Sequence, residues 1–295
     1  GQTIVVAGSG AYAGFISFWE MPIFVSDAFS VEPSPRVSPK YLFHYLKFKQ
    51  KWIYEQQKGA GVPHIHGNDI SRLLIPLPSL NEQKEIAEKL DTFTNLIAKL
   101  EEEIELRKKQ YEYYRKVLID ANRGLYKEEK LVDLCSINRG VRVVRKDLNT
   151  DGSIPVFQNS LTPLGYFKKS NYPQGTPFVI SAGAAGDVGF SNVDFWAADD
   201  CLCIEGKDVF NGRYIYEFLM TKVKEIKAQV RKGGVPRLSR TVIENLPILV
   251  IPMYMQNAIV EKLDAFTSLI SKLEEERDLR QKQYEYYREK LLTFE

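Results

Sequence analysis

The sequence has few cysteines and no long apolar stretch. Its three cysteines, Cys135, Cys201 and Cys203, are too few and too poorly spaced for a disulfide framework or a four-ligand zinc site. We therefore expect reduced thiols in a cytoplasmic protein. The chain contains no run of about 18 apolar residues and does not open on a signal-peptide pattern. We therefore expect neither a membrane partner nor secretion.

The chain also has little net charge. The formal charge of +2 argues against binding nucleic acid through bulk electrostatics alone, although it leaves room for local basic surfaces. A length of 295 residues exceeds that of a typical single domain and predicts two or three structural units.

What the chain does contain is an internal repeat. The word "KQYEYYR" occurs at 109–115 and again at 282–288, an offset of 173. At the same offset, "EKLDTFTNLIAKLEEE" from Glu88 matches "EKLDAFTSLISKLEEE" from Glu261, and the word "GVP" recurs. These matches predict a tandem repeat of about 173 residues. Because the alignment places residue 1 near 175 and the second copy begins near 125, we expect the first copy to lack about its first fifty residues.

One segment of each copy carries a heptad pattern of apolar residues. Ser79 and Glu82 form a capping-box signature before the first pattern, and Gly124 is a candidate stop. The pattern is interrupted at Arg107 in the first copy and at Arg277 and Arg280 in the second. It predicts two long helices that pack on each other as a coiled coil, the alternative being independent helices on separate cores. The predicted seam consists of Ile86, Leu90, Phe93, Ile97, Leu100, Ile104, Tyr111, Tyr114 and Leu118, with Ile259, Leu263, Phe266, Ile270, Leu273, Tyr284, Tyr287 and Leu291.

The remaining segments have short β-like runs, glycine-rich turns and one amphipathic helix each, near 41–56 and 214–230. They predict compact α+β domains. We divide the chain into a first globular domain at 1–74, a first helix segment at 75–124, a second globular domain at 125–247 and a second helix segment at 248–295. The helices are nearly identical between copies, whereas the polar residues of the domains diverge, as in "VPHIHGND" against "VPRLSRTV". This contrast favours a protein that reads two different targets at a fixed separation.

The glycine-valine-proline word, the run "IPLPSLNEQ" at 75–83 and the heptad helix occur in an arrangement that is present twice. In these features the chain resembles the specificity subunits of type I restriction-modification systems over essentially all of its length. The second copy, "ILVIPMYMQNAI", lacks the glutamate before Gln256. The resemblance implies two target recognition domains, each reading half of a split asymmetric sequence in double-stranded DNA, with the two helices antiparallel and setting the spacer. It also implies a non-catalytic subunit that recruits two methylation subunits, which bind S-adenosylmethionine and methylate adenine, and through them the motor-nuclease restriction subunits.

The chain shows little sign of chemistry of its own. "GSGAYAG" at 8–14 lacks the helix and partner acid of a dinucleotide site, so we expect a turn and no cofactor in this chain. The amino-methyltransferase words Asn-Pro-Pro-Tyr and Asp-Pro-Pro-Tyr do not occur. His64 with His66, or Cys201 with Cys203, would need further ligands to hold a metal. For the two histidines, DNA contact and plain surface polarity both remain open.

Basic residues concentrate in the domains: 125–247 holds 17 Lys and Arg against 14 Asp and Glu, and 248–295 holds 7 against 9. Lysine and arginine neutralise phosphates, while arginine, asparagine and glutamine read base edges in the major groove. For each candidate, a solvated surface charge is the alternative. The predicted DNA-binding residues are Arg139, Arg142, Arg145, Lys146, Gln158, Asn159, Lys168, Lys169, Arg231, Lys232, Arg237 and Arg240, with Lys47, Lys49, Lys51, Lys58, His64 and His66 in the first domain.

Two further hypotheses compete with DNA recognition. A coiled-coil scaffold that binds only proteins would explain the helices, but it would leave the divergence beside the valine-proline words without a reason. A self-contained methyltransferase or nuclease is opposed by the lack of a recognisable catalytic constellation.

Overall fold

The computed structural model describes residues 2–148, 151–207 and 210–294. Residue 1, where the first predicted domain begins, and residue 295, where the last predicted helix segment ends, lie outside this part of the chain. The first part of the chain forms β1 (Thr3–Ala7), β2 (Ile16–Trp19), β3 (Ala28–Val31), α1 (Pro39–Phe48), α2 (Gln50–Glu55), α3 (Gly67–Ile70) and α4 (Leu80–Asp120). The second part forms β4 (Glu128–Lys130), α5 (Leu131–Leu134), β5 (Cys135–Arg139), β6 (Ile154–Phe157), β7 (Gly165–Phe167), β8 (Pro177–Ile180), β9 (Val188–Phe190), β10 (Trp196–Ala197), β11 (Cys201–Gly206), α6 (Gly212–Ala228), α7 (Arg240–Glu244), β12 (Pro247–Leu249) and α8 (Met253–Leu292).

These elements belong to two compact units. The first unit comprises Gly1–Glu105 and Ser271–Glu295, and the second comprises Leu106–Ile270. Each unit therefore contains one α+β domain, part of α4 and part of α8. The elements that cross the unit boundary are the two long helices, whose segments are assigned to different units.

The first unit has an antiparallel sheet in the order β2-β1-β3. The central strand β1, "TIVVA", is rich in β-branched residues, which favour a pleated and half-buried surface. Helix α1 starts with Pro39 in its first turn, a position where the missing backbone donor costs nothing. The sequence predicted one helix from about 41 to 56. The structure instead has two, because Lys49 leaves helical geometry between α1 and α2 (φ −87°, ψ 11°).

The second unit has a four-stranded antiparallel sheet in the order β5-β11-β8-β9. A smaller sheet, β10-β6-β7, and a two-stranded pair, β12-β4, complete it. Helix α6 packs its apolar face on the large sheet, and the Asn211 side chain caps it by accepting from the backbone N–H of Arg213 at 2.8 Å. The predicted helix near 214–230 is thus present with slightly earlier bounds.

The two long helices have 41 and 40 residues, which corresponds to about 60 Å each. The predicted capping box is formed: Glu82 accepts from the backbone N–H of Ser79 at 2.8 Å, and the backbone N–H of Glu82 donates to Ser79 Oγ at 3.3 Å. Helix α4 ends at Asp120, and Gly124 lies beyond it in a turn with a φ of +89°. None of the helices in the described residues is both long enough and apolar enough to span a bilayer.

Within each unit, the segments of α4 and α8 contact each other. In the first unit, Ile86 and Leu90 near the start of α4 share an apolar cluster with Tyr284 and Leu292 near the end of α8. The Phe93 ring stacks on Tyr287, with centroids 5.4 Å apart. In the second unit, the Tyr114 ring near the end of α4 stacks on Phe266 near the start of α8, at 5.3 Å. The start of one helix therefore lies against the end of the other in both places.

The other predicted seam residues vary in burial. Leu263, Ile104, Ile259 and Ile270 are buried, whereas Tyr114 and Tyr287 keep about a third of their surface exposed despite the stacking (37% each). The intermediate positions are Ile97, Leu100, Tyr111, Leu118, Leu273 and Leu291. At the interruptions of the pattern, Arg107 donates to Gln110, and Arg280 donates to Glu276 and Gln283.

Candidate nucleic-acid interface

The glycine-valine-proline word of the second unit forms the tip of a hairpin. Arg231 and Arg237 pair through backbone hydrogen bonds in both directions, at 2.9 and 3.2 Å. Gly234 has a φ of +69°, a conformation that L side chains rarely adopt, so glycine suits this turn. The hairpin is fixed to the glycine-rich turn at 181–186, because the backbone N–H of Gly183 donates to the Pro236 carbonyl at 3.1 Å.

The first unit builds the same hairpin from different side chains. Lys58 and His64 exchange backbone hydrogen bonds at 2.9 and 2.8 Å, and Gly10 N–H donates to the Pro63 carbonyl at 2.9 Å. Each of these residues lies 173 positions before its counterpart in the second unit. The glycine-rich segment "GSGAYAG" thus anchors a loop through its backbone.

Three of the predicted arginines line one groove in the second unit. Arg139, Arg231 and Arg237, together with Ser181 and Ser239, border a cavity of about 470 Å³, which we call the arginine groove. All three arginines are exposed. Arg139 stands at the end of β5, where its Nη1 donates to the Asp199 carbonyl at 3.1 Å. The groove therefore presents guanidinium donors from two separate segments of the chain.

An acid lies among these arginines. Burial and the neighbouring Asp199 carboxylate raise the pKa of Asp200, although Arg237, Arg139 and Arg142 act in the opposite direction. The backbone carbonyl of Asp200 accepts from the Ser181 N–H at 2.7 Å, which ties the acid to the turn that anchors the hairpin. The arginine groove is thus a predominantly basic surface with an acid close to its donors.

Other predicted residues of the second unit lie around this groove or apart from it. Asn159 is exposed, and its backbone carbonyl accepts from the Ala184 N–H of the anchoring turn at 2.9 Å. Gln158 is half-buried, and Lys232, Arg145 and Lys146 are exposed. Arg240 is engaged elsewhere, since its Nε donates to Glu244 at 2.7 Å.

Lys168 and Lys169 belong to a second surface. With Arg142 and Trp196 they line a cavity of about 520 Å³. Lys168 forms an ion pair with Asp151 at 2.7 Å, and Lys169 Nζ lies 5.4 Å from the centre of the Trp196 ring. An exposed ion pair is readily exchanged for another anion, so Lys168 remains available to a phosphate.

The equivalent groove of the first unit is lined by His64 and His66 and by Ser9 and Asp27, with a cavity of about 550 Å³. We call it the histidine groove. The two imidazole centroids are 5.4 Å apart. Asp27 lies 173 positions before Asp200, and its carbonyl likewise accepts from the turn, here from the Gly8 N–H at 2.7 Å.

The predicted lysines of the first unit do not line the histidine groove. Lys47 Nζ sits 4.5 Å from the centre of the Phe15 ring, and burial lowers the pKa of Lys47, with a further contribution from Arg288. Lys49 lies over Phe48, Lys51 is exposed, and Lys58 pairs with Asp69. Lys58 is nevertheless held beside the groove by its backbone bonds to His64.

The cysteines and histidines show no metal site in the described part of the chain. There, no three His, Cys, Asp or Glu side chains are grouped closely enough to hold an ion. All three cysteines are free and buried. Burial raises the pKa of the Cys135 and Cys201 thiols to about 12, so these thiols are poor nucleophiles.

A buried glutamine joins each domain to the helix that follows it. In the first unit, Gln83 Oε1 accepts from the Ser38 N–H at 2.8 Å, and Nε2 donates to the Pro78 carbonyl at 2.9 Å. In the second unit, Gln256 Oε1 accepts from the Asn211 N–H at 2.9 Å and Nε2 donates to the Ile251 carbonyl at 2.9 Å. This explains why the second copy can lose the preceding glutamate: the anchor is the glutamine.

A cluster of charged residues lies beside the glutamine in each unit. In the first unit, Lys40 and His44 both contact Asp91, at 2.9 and 2.7 Å. Burial opposes the charged form of Asp91, but hydrogen bonds from Lys40 and His44 outweigh it and lower the pKa of the carboxyl. Arg288 rests against the Tyr284 and Phe48 rings. We call this set the first joint.

The second joint has the same positions with other chemistry. Arg213 contacts both Asp264 and Glu217 at 3.0 Å. The fully buried Glu217 also accepts from Arg115 at 2.7 Å and from Tyr111 Oη at 2.8 Å. Burial, followed by the Glu217 charge, raises the pKa of Tyr111 to about 12.

These joints explain the repeated word "KQYEYYR". Its first tyrosine and its arginine contact a domain in each unit, as Tyr284 and Arg288 or as Tyr111 and Arg115. Its last tyrosine stacks on a phenylalanine of the other helix, as described above. The middle tyrosines, Tyr113 and Tyr286, are 63% and 60% exposed.

Several of these residues were not predicted from the sequence. Asp27, Asp200 and the two buried glutamines each recur at the offset of 173, so a position-by-position reading of the repeat could have found them. Asp91 and Asp264 recur in the same way. The exchange of His44 for Glu217 could not have been interpreted without knowing which side chains face it.

Comparison with solved structures shows a likeness of fold to proteins of type I restriction-modification systems. The chain matches the S subunit of a type I restriction-modification system from M. genitalium with a TM-score of 0.74, at 19% identity, over 99% of this chain and 83% of that one. A second type I system structure matches with a TM-score of 0.58, at 16% identity, over 98% and 80%. These likenesses concern the fold.

Sequence comparison gives the family. The type I specificity subunit S.MpnORF615P of Mycoplasma pneumoniae is 30% identical over 74% of this chain and 92% of its own length. The specificity subunit of the type I restriction enzyme MjaVIII of Methanocaldococcus jannaschii is 36% identical over 36% of this chain and 25% of its own. The family described as type I restriction modification DNA specificity domain matches residues 1–106 and 125–280. The chain belongs to this family, whose members recognise DNA sequences in restriction-modification systems.

Proposed function

We propose that this chain reads a bipartite, asymmetric sequence in double-stranded DNA, with one half-site for each unit. The arginine groove is the observation that carries the proposal, because Arg139, Arg231 and Arg237 present donors on one exposed surface. Guanidinium groups bind phosphates and read guanine edges in a bidentate manner. Asp200 can accept from a cytosine amino group at the same place.

The two grooves are equivalent in position and differ in side chains. His64 and His66 stand in the first unit where Arg237 and Ser239 stand in the second. An asymmetric target requires different hydrogen-bond donors and acceptors at equivalent positions of the two units. Lys168, Lys169 and Lys232 would supply phosphate contacts that position the domain without specifying sequence.

We further propose that α4 and α8 form an antiparallel coiled coil that sets the unread gap between the half-sites. The supporting contacts are the stacked pairs Phe93 with Tyr287 and Tyr114 with Phe266, each within its own unit. The two phenylalanines are 173 positions apart and so are the two tyrosines, which favours a quasi-symmetric tandem repeat.

The chain itself would be non-catalytic and would act through partners. We propose that it recruits two methylation subunits, which carry S-adenosylmethionine, and through them the motor-nuclease subunits, in the cytoplasm. Tyr113 and Tyr286 are exposed at equivalent positions, which suits two like partners.

The test is to co-express the chain with its methylation subunit and to map methylated adenines across the host genome. We expect a split motif with a constant gap. A stable complex that gives no motif would overturn the proposal and favour a protein scaffold.

The spacer role has a separate test. Insertion of one heptad after Glu102 and one after Glu275, which are 173 positions apart, adds about 10 Å to each helix. We expect the gap to lengthen by about three base pairs while both half-sites stay the same, since a base step measures about 3.4 Å. Changed half-sites would contradict the spacer role.

A further inference from the structure

One cavity of the second unit combines cations with aromatic rings, and we call it the tryptophan cavity. It has a volume of about 520 Å³ and is lined by Val141, Arg142, Val143, Phe167, Lys168, Lys169 and Trp196. Three of these described residues are cations, four are apolar or aromatic, and none is acidic. Ligand sites of proteins likewise combine an apolar lining with a few polar groups. The lining therefore matches an anionic ligand that has a flat apolar part.

The Trp196 ring is held in a fixed orientation at this cavity. Its Nε1 donates to the Val141 carbonyl at 3.0 Å, and the Phe167 ring packs on it with centroids 5.1 Å apart and an interplanar angle of 70°. Phe167 and Val143 belong to a small buried cluster against which Trp196 packs. The Trp196 ring itself is half-buried, and the exposed Lys169 lies over it with Nζ 5.4 Å from the ring centre. An exposed ammonium in this position can leave the ring for a phosphate when a base arrives.

Both chain segments that carry the cations are fixed to strand β10. The Val141 N–H donates to the Ala197 carbonyl at 2.9 Å, and Asn171 exchanges two hydrogen bonds with Ala197, at 2.7 and 2.9 Å. Glycine at 140 permits this close approach, since an added Cβ would clash with the carbonyl oxygens of Ala197 and Ala198. The cavity is therefore preformed, which reduces the entropy lost when a ligand binds.

The tryptophan cavity adjoins the arginine groove along the chain. Arg139 borders the groove, and Arg142, three residues later, borders the cavity. Burial raises the pKa of Asp200, and Arg142 opposes this rise together with Arg237 and Arg139, so the Arg142 charge lies close to the groove as well. Three residues span at most about 11 Å, and a base step measures about 3.4 Å. A DNA strand in the arginine groove therefore places a nucleotide within about three base steps of the cavity.

We propose that the tryptophan cavity binds one unpaired nucleotide of the DNA, with its base against Trp196 and its phosphate at Lys168 and Lys169. A base stacks on an aromatic ring whatever its identity, because every base has a π-face, while the lysines neutralise the phosphate. Enzymes that modify a base take it out of the stack, so a target that is being methylated contains unpaired nucleotides. The inference rests on the proposed DNA recognition and adds to it a site for a nucleotide outside the duplex.

The test uses the full chain with Trp19→Phe and Trp52→Phe, which leaves Trp196 alone of the three tryptophans as the fluorescent reporter. The probes are a short paired duplex, the same duplex with one extra unpaired thymidine, and free thymidine monophosphate. We expect the unpaired thymidine to quench Trp196 emission and to tighten binding about tenfold over the paired duplex, the size of one base–aromatic stack. Free thymidine monophosphate should bind far more weakly than the duplex with the unpaired thymidine, because it gains nothing from the arginine groove.

A matched pair of variants locates the unpaired nucleotide. Val141→Asp places an acid in the lining at a position that is 56% exposed, and it should remove the preference for the unpaired thymidine because the acid repels the phosphate. Val193→Asp, at a position 54% exposed in the same unit and outside the lining, should preserve that preference. Trp196→Ala should also remove the preference, whereas Trp196→Phe, which retains a ring for stacking, should keep most of it.

The outcomes separate this inference from the proposed function. Equal binding of the two duplexes, with equal emission from Trp196, would overturn the inference while leaving recognition of paired DNA intact. Free thymidine monophosphate that binds as tightly as the duplex with the unpaired thymidine would also overturn it, since the cavity would then serve a free nucleotide. Binding of neither duplex would overturn both the inference and the proposed function.

Discussion

The two joints share one framework but differ in the chemistry of their side chains. Both contain a buried glutamine that makes the same kind of backbone bonds. Both also contain an aspartate on a long helix that pairs with a basic residue at the start of a domain helix, α1 or α6. The first joint then places His44 where the second places Glu217. The difference shows that the backbone anchors specify the architecture, whereas the side chains around them can exchange charge.

Because one joint has His44 and the other has Glu217 at the same position, the arginine of the repeated word has a different role in each joint. In the second joint, Arg115 is required as a partner of the fully buried Glu217. In the first joint, His44 holds the position of Glu217, and the equivalent Arg288 lies over the Tyr284 and Phe48 rings. The arginine of the identical word therefore makes an aromatic contact in both units, and in the second unit it adds an ion pair with a buried acid.

We expect the largest loss of stability when the arginine of the repeated word is removed. Arg115→Ala should lower the free energy of unfolding of the second unit by about 3 kcal/mol, since it removes a partner of a buried carboxylate. The matched change Arg288→Ala should cost about 1 kcal/mol, the value of an aromatic contact. Hydrogen exchange of β8 and β1 in the full chain reports on the two units separately. Equal losses of unfolding free energy would show that the two arginines contribute equally to stability and would contradict the comparison.

The glutamines should behave alike. Gln83→Ala and Gln256→Ala each remove several bonds at a buried site and should each cost about 2 kcal/mol, because backbone groups are left unpaired. The same exchange measurement applies, with Gln281→Ala, an exposed glutamine of α8, as a control of negligible effect. A large cost in only one unit would break the equivalence of the anchors.

The grooves should separate the two half-sites. Arg237→Gln should weaken DNA binding by about 1–3 kcal/mol and relax only the half-site read by the second unit. His64→Gln should alter only the other half-site. Mapping of methylated adenines provides the measurement, and Arg240→Gln, whose side chain is paired with Glu244, is the matched control. A variant that relaxes both half-sites would contradict separate readers.

Much of the framework could be predicted from the sequence because it is periodic. The heptads, the capping box at Ser79 and the α+β character follow from spacing and local propensity. The break at Lys49 could not be predicted in this way, because no proline or glycine marks it. Helix α4 similarly ends before Gly124 without a breaking residue at Asp120.

The candidate site was predicted less completely. Arg139 and Arg237 were predicted from residue type and from their clustering with other basic residues, in the case of Arg237 beside the valine-proline word. Their common groove depends on the β5–β11 pairing that joins distant segments. Lys47, by contrast, has the same charge in a similar basic run, yet it lies against Phe15. Side-chain direction decides between these outcomes, and a run of basic residues does not specify it.

The smallest predicted effect concerns pH and the histidine of the first joint. His44 is buried and its Nε2 lies 2.7 Å from Asp91, while its Nδ1 has no hydrogen-bond partner among the residues that the structure describes. This geometry suits a neutral ring that donates through Nε2, because a proton on Nδ1 would be buried unpaired. Burial lowers the pKa of His44, against the opposing effect of Asp91 and with a small further contribution from Lys40.

The direction of the pH dependence of stability follows from the protonation of His44 in the folded and the unfolded chain. As pH falls through the ordinary histidine pKa of about 6.5, the unfolded chain binds a proton that the folded first unit resists, so stability decreases toward lower pH. One proton limits the slope to about 1.4 kcal/mol per pH unit. We expect hydrogen exchange of β1, corrected for the intrinsic rate, to quicken between pH 7 and pH 5.5, and His44→Gln to remove most of this dependence because glutamine can donate to Asp91 without titrating. A dependence that survives in His44→Gln would assign it to another group and leave the two joints alike in their response to pH.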